Sequence, residues 1–366
     1  MPRGVWARAA VLTFLVALVA AACTRDEGDG NGQADPGQVA QESLLDQVKA
    51  RGTLRCGVNQ TVPGFGFLNP DTNEIEGFDI EFCRAIAAAV LGDPAAHELV
   101  PVTAEERFNA LRAGQYDVLV RNTTWTSSRD GSLGLNFAHA NFYDGQGMMV
   151  RTGEFSAVSE MEGTTICNTT GTTTELNVAD YFQKLGLSFT PLTFEENPQV
   201  QEAFIAGQCD GWTSDRSQLA GIRSQWPEGE GGPEALTILP DVMSKEPLAP
   251  AVLDGDPQWF DAVNWVVNGV ILAEELGVTT QNVDQMAAEP PDPQVAALLG
   301  VPFQGGEVTD PGLALDFDFM QDVIRAVGNY GEIFDRTIGP DTPLGLQRDI
   351  NALWTEGGIQ YAMPFR

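Results

Sequence analysis

The chain has 366 residues, 43% of them hydrophobic and 8% aromatic, enough to fill the cores of two or three domains. Its 51 acidic residues against 20 basic ones leave a formal charge of -31. No basic stripe is present to displace counterions, which excludes nucleic acids and anionic headgroups as partners, and the acidity reads as a solvated surface.

At the N-terminus Arg3 and Arg8 precede an apolar run from Ala9 to Ala22. The run is too short for a comfortable membrane span and ends in small residues, the pattern of a secretory signal. Those small residues abut Cys23, and Val19-Ala20-Ala21-Ala22-Cys23 resembles a bacterial lipoprotein cleavage box, with Ala20 where leucine is usual. The expectation is a signal peptide over 1–22, a diacylglycerol on Cys23, and a protein exported to the periplasm or the outer face of the cytoplasmic membrane. Plain cleavage near Ala22, with no lipid, is the alternative. Residues 23–42, where charge, Gly and Pro displace apolar residues, read as a flexible tether.

A short amphipathic helix from Ser43, closed by Gly52, opens the folded body. Leu54 to Val58 reads as a strand. It runs into the Pro/Gly loop Asn59 to Phe67, where Phe65 and Phe67 read as exposed. Gly77 to Leu91 reads as a helix capped by Asp79, with Phe82, Ile86 and Val90 on one face. Strand His97 to Val102, helix Ala104 to Arg112 and strand Val118 to Val120 follow, an alternation that calls for a parallel sheet with right-handed crossovers. Past Arg121 the last strand empties into Asn122, Thr123, Thr124, Thr126, Ser127 and Ser128, ending at Arg129. Short neutral hydrogen-bonding groups between two guanidiniums, with no nucleophile-base pair, suit the holding of a small anionic group at a strand's carboxyl end. The plainer reading is a solvated turn whose arginines meet surface carboxylates.

A second α/β unit begins past Asp144-Gly145-Gln146-Gly147. Thr164 to Cys167, Phe189 to Phe194 and Cys209 to Thr213 read as strands. One helix opens at Gly171-Thr172-Thr173-Thr174-Glu175 and another covers Val200 to Ala206. The loops of this unit offer a bare helix N-terminus at Thr172 and Thr173, suited to an anion, and a carboxylate at Asp215, suited to a cation. Pro247 to Val252 reads as a Pro-broken strand leaving this unit. Trp259 to Leu276 and Phe319 to Val327 read as helices, with a last helix around Ile350 to Trp354.

Setting Cys23 aside, Cys56, Cys83, Cys167 and Cys209 form an even set in an exported chain, where disulfides persist. Three connectivities are open; pairing sequence neighbours keeps each bridge inside one half of the chain. There is no C-x-x-C, and His97 and His139 are isolated, so the spacing of a zinc site is missing. Neither a metal nor a cofactor is expected.

The segment G-F-D-I-E-F, followed by Ile86, Ala87 and Val90, resembles the signature of the family 3 extracellular solute-binding proteins, receptors of polar amino-acid ABC importers. From about Leu44 to Arg366, C-G-V-N, R-N-T-T-W-T-S-S-R-D, Y-D-G-Q-G, T-G-T-T-T-E-L-N, S-K-E-P-L-A-P-A-V and V-G-N-Y-G-E-I-F resemble, in order, the general L-amino-acid-binding subfamily. The resemblance implies an α/β, two-lobed periplasmic-binding-protein-like fold of type II. Each lobe is a Rossmann-like sheet with flanking helices, joined to the other by two hinge crossings. Residues 43–146 and 254–366 would form the first lobe and 147–253 the second. It also implies a monomer that closes around a free L-amino acid, with importer permease subunits as partners and no catalysis.

Carried over residue by residue, the carboxylate-clamping arginine falls on Arg129, helped by Thr172 and Thr173, and the ammonium-binding carboxylate on Asp215. The first lobe's hydroxyl and backbone contacts fall on Asn122 and Thr124. Two positions depart from the pattern: Asn59 stands where an acid is usual, and Val62 where related receptors often carry a stacking aromatic. The side-chain wall is then expected to be Val62, Phe65, Phe67 and Trp125 with Asn59, a largely apolar surface that discriminates weakly among side chains. A crossed disulfide would restrain the hinge, so Cys56–Cys83 and Cys167–Cys209 are the expected pairs. Rival readings on the same fold are an enzyme, of dehydratase or cell-wall lyase type, and a ligand-sensing module. The first needs a placed acid or base, for which only Glu175 comes near; the second needs a membrane helix, and no long apolar span follows Ala22.

Overall fold

Two five-stranded sheets divide the chain between them in the computed structural model, which describes residues 42–308 and 310–366. The expected signal peptide, Cys23 and all but the last residue of the tether lie outside the described residues. In the first sheet the strands run in the order His97–Pro101, Leu54–Val58, Val118–Leu119, Ala251–Leu253, Leu135–Phe137. The first three are parallel, with Cys56 opposite Leu99 on one side and Val118 on the other. Helix Phe78–Leu91 links the first two of these strands in sequence and is buried on nearly every side. It lies between the sheet and the later helices Pro257–Glu275 and Phe319–Val327. The Cys56–Cys83 bridge fastens this helix to the first strand.

Helix Phe78–Leu91 starts at Gly77, where φ is 134° and an added Cβ would lie 2.4 Å from the Phe65 carbonyl oxygen. Only glycine fits there. Asp79 therefore does not cap the helix, contrary to the sequence expectation; it lies buried in the first turn and accepts from the Asn122 N–H. Phe65 is also corrected. Far from exposed, it packs edge-on against Phe142 at 5.2 Å and lies 5.7 Å from Phe78, inside an aromatic cluster that includes Tyr330 and Phe334.

The second sheet runs Phe189–Phe194, Thr164–Thr169, Gly211–Asp215, Gln146–Arg151, Leu236–Ile238. Its first three strands are parallel, and the Cys167–Cys209 bridge lies within it. In both sheets the fourth strand runs against the other four. Each of these strands has just crossed from the other lobe, so it arrives without the helical crossover that a parallel neighbour needs. The two crossings pair with each other as an antiparallel ribbon, Phe142–Asp144 against Glu246–Leu248. Gln146 thus belongs to the second sheet and Ala251–Leu253 to the first, which moves both crossings a few residues ahead of the boundaries expected from sequence.

Beyond residue 254 the chain adds to the first lobe. Helices Pro257–Glu275, Phe319–Val327 and Tyr330–Thr337 join one core with helix Phe78–Leu91. The helix expected around Ile350 to Trp354 is not formed; two single 3₁₀ turns, Asp349–Asn351 and Trp354–Glu356, stand there. The Asn351 side chain bonds both the N–H and the carbonyl of Tyr143, at 2.7 and 2.9 Å, and Arg348 pairs with Glu274. These attachments hold the segment extended against a crossing strand.

Candidate functional site

The loop after strand Val118–Leu119 turns sharply at Asn122, whose φ of 34° is left-handed. Three bonds hold that turn. The Asn122 N–H donates to Asp79 Oδ2 at 2.7 Å, Asn59 Nδ2 donates to Asn122 Oδ1 at 3.2 Å, and Asn122 Nδ2 reaches Gln218 Oε1 across the cleft at 3.4 Å. Asn59 in turn folds its own loop by accepting from the Thr61 N–H and hydroxyl, each at 3.0 Å. Further on, Arg129 sits in a short π-helical turn and donates from Nη1 to the Thr124 carbonyl at 2.7 Å. Its guanidinium and that of Arg107 both stack on Phe108, 5.1 and 4.8 Å from the ring centre.

From the second lobe, helix Thr173–Leu185 presents its N-terminus, with Thr172 as the cap accepting from the Glu175 N–H at 3.2 Å. Strand Gly211–Asp215 ends at Asp215, which is 6% exposed and opens the helix Arg216–Ser224. Asn59, Asn122, Thr124, Thr172, Thr173 and Asp215 line one cleft between the lobes. Arg129 adjoins it through the Thr124 carbonyl.

Electrostatics set these groups apart. Burial pushes the Asp215 carboxyl well above the usual carboxylate range, and Asp144 and Glu246 add to the effect, while Asn122 and Arg107 oppose it. Burial likewise brings Arg129 down to about 10 against the pull of Glu246 and Asp215. The cleft holds opposite charges a ligand can answer.

Several residues that sequence reasoning did not single out complete the site. Glu246, 1% exposed, lies on the second crossing strand and accepts from Thr124 Oγ1 at 2.7 Å, Thr173 Oγ1 at 2.8 Å and Asn177 Nδ2 at 2.8 Å. It ties the loop of one lobe to the helix start of the other at the hinge itself. Arg107, Glu196, Asn197 and Gln218 also line the cleft. Asn197 Nδ2 donates to Thr61 Oγ1 at 3.2 Å, and Arg107 Nη2 to the Gly171 carbonyl at 3.3 Å, so the lobes meet along this seam.

The expected side-chain wall is placed elsewhere. Val62 is fully buried in the first lobe's core, and Phe65 in its aromatic cluster. Phe67 is half-buried on the small sheet formed by Thr61–Val62, Gly66–Leu68 and Ile75–Glu76. Trp125 is 42% exposed and stacks flat on Phe137, with ring centres 6.0 Å apart. Of that set only Asn59 lines the cleft. The remaining wall is polar: Arg107, Arg121, Thr169, Glu196, Asn197, Ser214 and Gln218 with Ala104. Neither histidine lines it, and among the described residues no group of three or more His, Cys, Asp or Glu side chains is placed to hold a metal. Among the same residues no helix is long and apolar enough to cross a membrane.

The family profile of bacterial extracellular solute-binding proteins, family 3, matches residues 54–281. The glutamate/glutamine/aspartate/asparagine-binding protein BztA of Rhodobacter capsulatus is 47% identical over 89% of this chain and 94% of its own. The general L-amino acid-binding periplasmic protein AapJ of Rhizobium johnstonii is also 47% identical, over the same shares. Among solved structures, a periplasmic binding protein from Brucella ovis with glutathione bound has 43% identity and a TM-score of 0.83, covering 89% of this chain and all of that one. These relatives are named as binding proteins, and the two-lobed architecture is that of type II periplasmic binding proteins. The chain belongs to the bacterial extracellular solute-binding proteins, family 3.

Proposed function

We propose that this protein is the receptor of an amino-acid ABC importer, which closes its lobes around a free L-amino acid and presents it to the membrane permease. One observation carries the reading: Asp215 from the second sheet faces a loop of the first sheet that bears Asn122, Thr124 and, behind them, Arg129. An amino acid is a zwitterion, and burying it requires both charges to be answered. A planar guanidinium with a helix N-terminus suits the α-carboxylate, and a carboxylate with neutral oxygens suits the ammonium. Because the two halves of the clamp come from different lobes, binding and closure are one event. The glutathione of the Brucella relative carries the same α-amino and α-carboxylate pair on its γ-glutamyl end, in keeping with this clamp.

The cleft residues favour binding over catalysis. Glu246 and Glu196 are engaged by hydroxyl and amide groups, an arrangement that suits fixing the lobes and a ligand. The same reading assigns residues 1–22 to a signal peptide, a lipid to Cys23 and the following residues to a tether, with the protein acting as a monomer outside the cytoplasmic membrane. The first lobe then comprises residues up to the Phe142–Asp144 crossing and those after the Glu246–Leu248 crossing.

Calorimetry with a panel of L-amino acids tests the clamp. Arg129→Met or Asp215→Asn leaves one ligand charge buried without its partner, a loss of about 2 to 5 kcal/mol. Each variant should bind more than about tenfold more weakly while remaining folded. Near-native affinity in either would show the clamp to be wrongly assigned. For the anchor, Cys23→Ser should free the protein from the membrane fraction and remove the mass of the lipid.

A further inference from the structure

Glu246 belongs to neither five-stranded sheet; it is buried where the second crossing passes between the lobes. The residues before it are tied to the second lobe: the Met243 N–H donates to the Gln146 carbonyl at 2.9 Å, and the Gln146 N–H to Ser244 Oγ at 3.4 Å. Those after it are tied to the first lobe. There the Trp125 N–H donates to the Pro247 carbonyl at 2.8 Å, and the Ala249 N–H to the Thr123 carbonyl at 3.0 Å. Along this crossing, a change in the angle between the lobes has to be taken up between Ser244 and Pro247, at Glu246 itself.

Donors from both lobes meet its carboxylate. Oε2 accepts from Thr124 Oγ1 of the first lobe and from Thr173 Oγ1 of the second, while Oε1 accepts from Asn177 Nδ2 and Ser244 Oγ. A carboxylate has only acceptors to offer and a hydroxyl has a single proton, so both threonines spend theirs on Glu246. Thr124 and Thr173 line the cleft, and toward it each is left with lone pairs alone. Their two oxygens stand 3.4 Å apart with no proton between them, a contact that a donor shared by both relieves.

We propose that Glu246 is the latch of the closed receptor, a positioning residue behind the cleft wall that joins Thr173 and Asn177 of the second lobe to Thr124 of the first. It acts on the ligand only through the two hydroxyls, which it fixes as acceptors. The proposal rests on the amino-acid receptor reading above and assigns what holds the lobes together once the ligand is inside. Thr124 stays beside Glu246 because Trp125 is bonded to Pro247, the next residue of the crossing. Opening therefore breaks the bonds to Thr173 and Asn177 and keeps the one to Thr124. Bonds made only with the lobes together stabilise the closed state and slow release of the ligand, while the first encounter with the open cleft is untouched.

Calorimetry with a panel of the proteinogenic L-amino acids, on the mature protein stripped of co-purified ligand, picks the tightest binder, and stopped-flow measurements then follow its association and dissociation. Asn177→Asp sets a second carboxylate against Glu246 Oε1. It is expected to speed dissociation at least about tenfold, with association within about threefold of wild type. Adding Glu246→Gln restores the match of donor and acceptor, because the new amide nitrogen donates to the new carboxylate while the amide oxygen still accepts from Thr124 and Thr173. The double variant Glu246→Gln/Asn177→Asp should therefore release ligand within about threefold of the wild-type rate. Glu246→Ala, which frees both hydroxyl protons, should release it at least about tenfold faster than wild type. A residue that merely supports the fold would lower the melting temperature in every variant and give no rescue. Wild-type dissociation in Asn177→Asp, or a double variant no slower than Asn177→Asp alone, overturns the latch and leaves the receptor reading standing. No binding of any amino acid by the wild-type protein would sink the receptor reading, and the latch with it.

Discussion

Asp79 and Asn122, 43 residues apart, are joined by one hydrogen bond, from the Asn122 backbone N–H to Asp79 Oδ2 at 2.7 Å. The bond fixes the left-handed turn at Asn122, so a carboxylate on the first crossover helix positions the loop that carries the first lobe's proposed ligand contacts. Burial raises this carboxyl from its ordinary 3.8 to about 7, against the opposing effects of the Asn122 bond and Arg121. The folded chain therefore holds the proton more tightly than the unfolded chain. Stability from this group is present at low pH and is lost as pH rises between 3.8 and about 7. Asp79→Asn keeps an acceptor for the Asn122 N–H and removes the charge. Its gain in melting temperature over wild type should grow from about pH 4 to about pH 7 and then level off. A difference independent of pH in thermal melts would refute this account of Asp79.

Closure has its own test at Gly221, on helix Arg216–Ser224 of the second lobe. An added Cβ there would lie 2.5 Å from the carbonyl oxygen of Pro63 in the first lobe. At Gly171, on the same seam, it would lie 2.8 Å from Glu105 Cα. Backbone cannot yield as a flexible side chain does, so Gly221→Ala should keep the lobes from meeting fully. The expected result is affinity reduced about tenfold with the melting temperature of the unliganded protein nearly unchanged, since the closed state alone is penalised. Small-angle scattering should show a smaller ligand-induced compaction than in wild type. Native affinity and compaction together would mean the seam does not form on closure.

The fold was legible where periodicity and punctuation agree. The βαβ alternation from Leu54 to Val120 is formed, with its second helix beginning at Arg107 and not at Ala104, and the helix Phe319–Val327 is formed as read. Asn122 and Thr124 follow a strand end, Thr172 and Thr173 open a helix and Asp215 ends a strand, which is why a sequence pass finds them in one cleft. Glu246 and Gln218 carry no such mark. Glu246 stands in an unremarkable S-K-E-P, and its role depends on a crossing strand that sequence cannot register against Phe142–Asp144. Arg107 on a helix reads as a solvated cation until its burial is seen. The apolar wall failed for the opposite reason: Val62 and Phe65 follow a strand end and look exposed, yet both are buried in the first lobe's core, Phe65 against Phe78 and Phe142.

Each disulfide should stabilise its own lobe and leave the clamp alone. Cys56–Cys83 and Cys167–Cys209 span 27 and 42 residues, for which the chain-entropy relation gives about 4 kcal/mol apiece. Because each bridge lies within one sheet and its helices, neither restrains the hinge. The double variant Cys167→Ser/Cys209→Ser should lose several degrees of melting temperature yet bind ligand within about threefold of wild type at 25 °C. A large loss of affinity in a folded variant would show that the bridge acts on closure.

Proton linkage probes Asp215 directly. In the empty protein its carboxyl is held well above the usual range by burial and by the charges of Asp144 and Glu246. A ligand ammonium placed against it favours the ionised form and lowers the value again. As pH falls through the raised titration, the free protein takes up a proton that the complex must release, so affinity weakens toward low pH. Binding below that titration should therefore expel up to about one proton, seen as a calorimetric heat that differs between buffers of high and low ionisation enthalpy. Asp215→Asn should abolish both the proton release and the steepness of the pH profile, since the amide cannot titrate. Proton uptake on binding, or release that persists in Asp215→Asn, would move the ammonium partner to another carboxylate, and Glu246 and Asp144 are the two that face it.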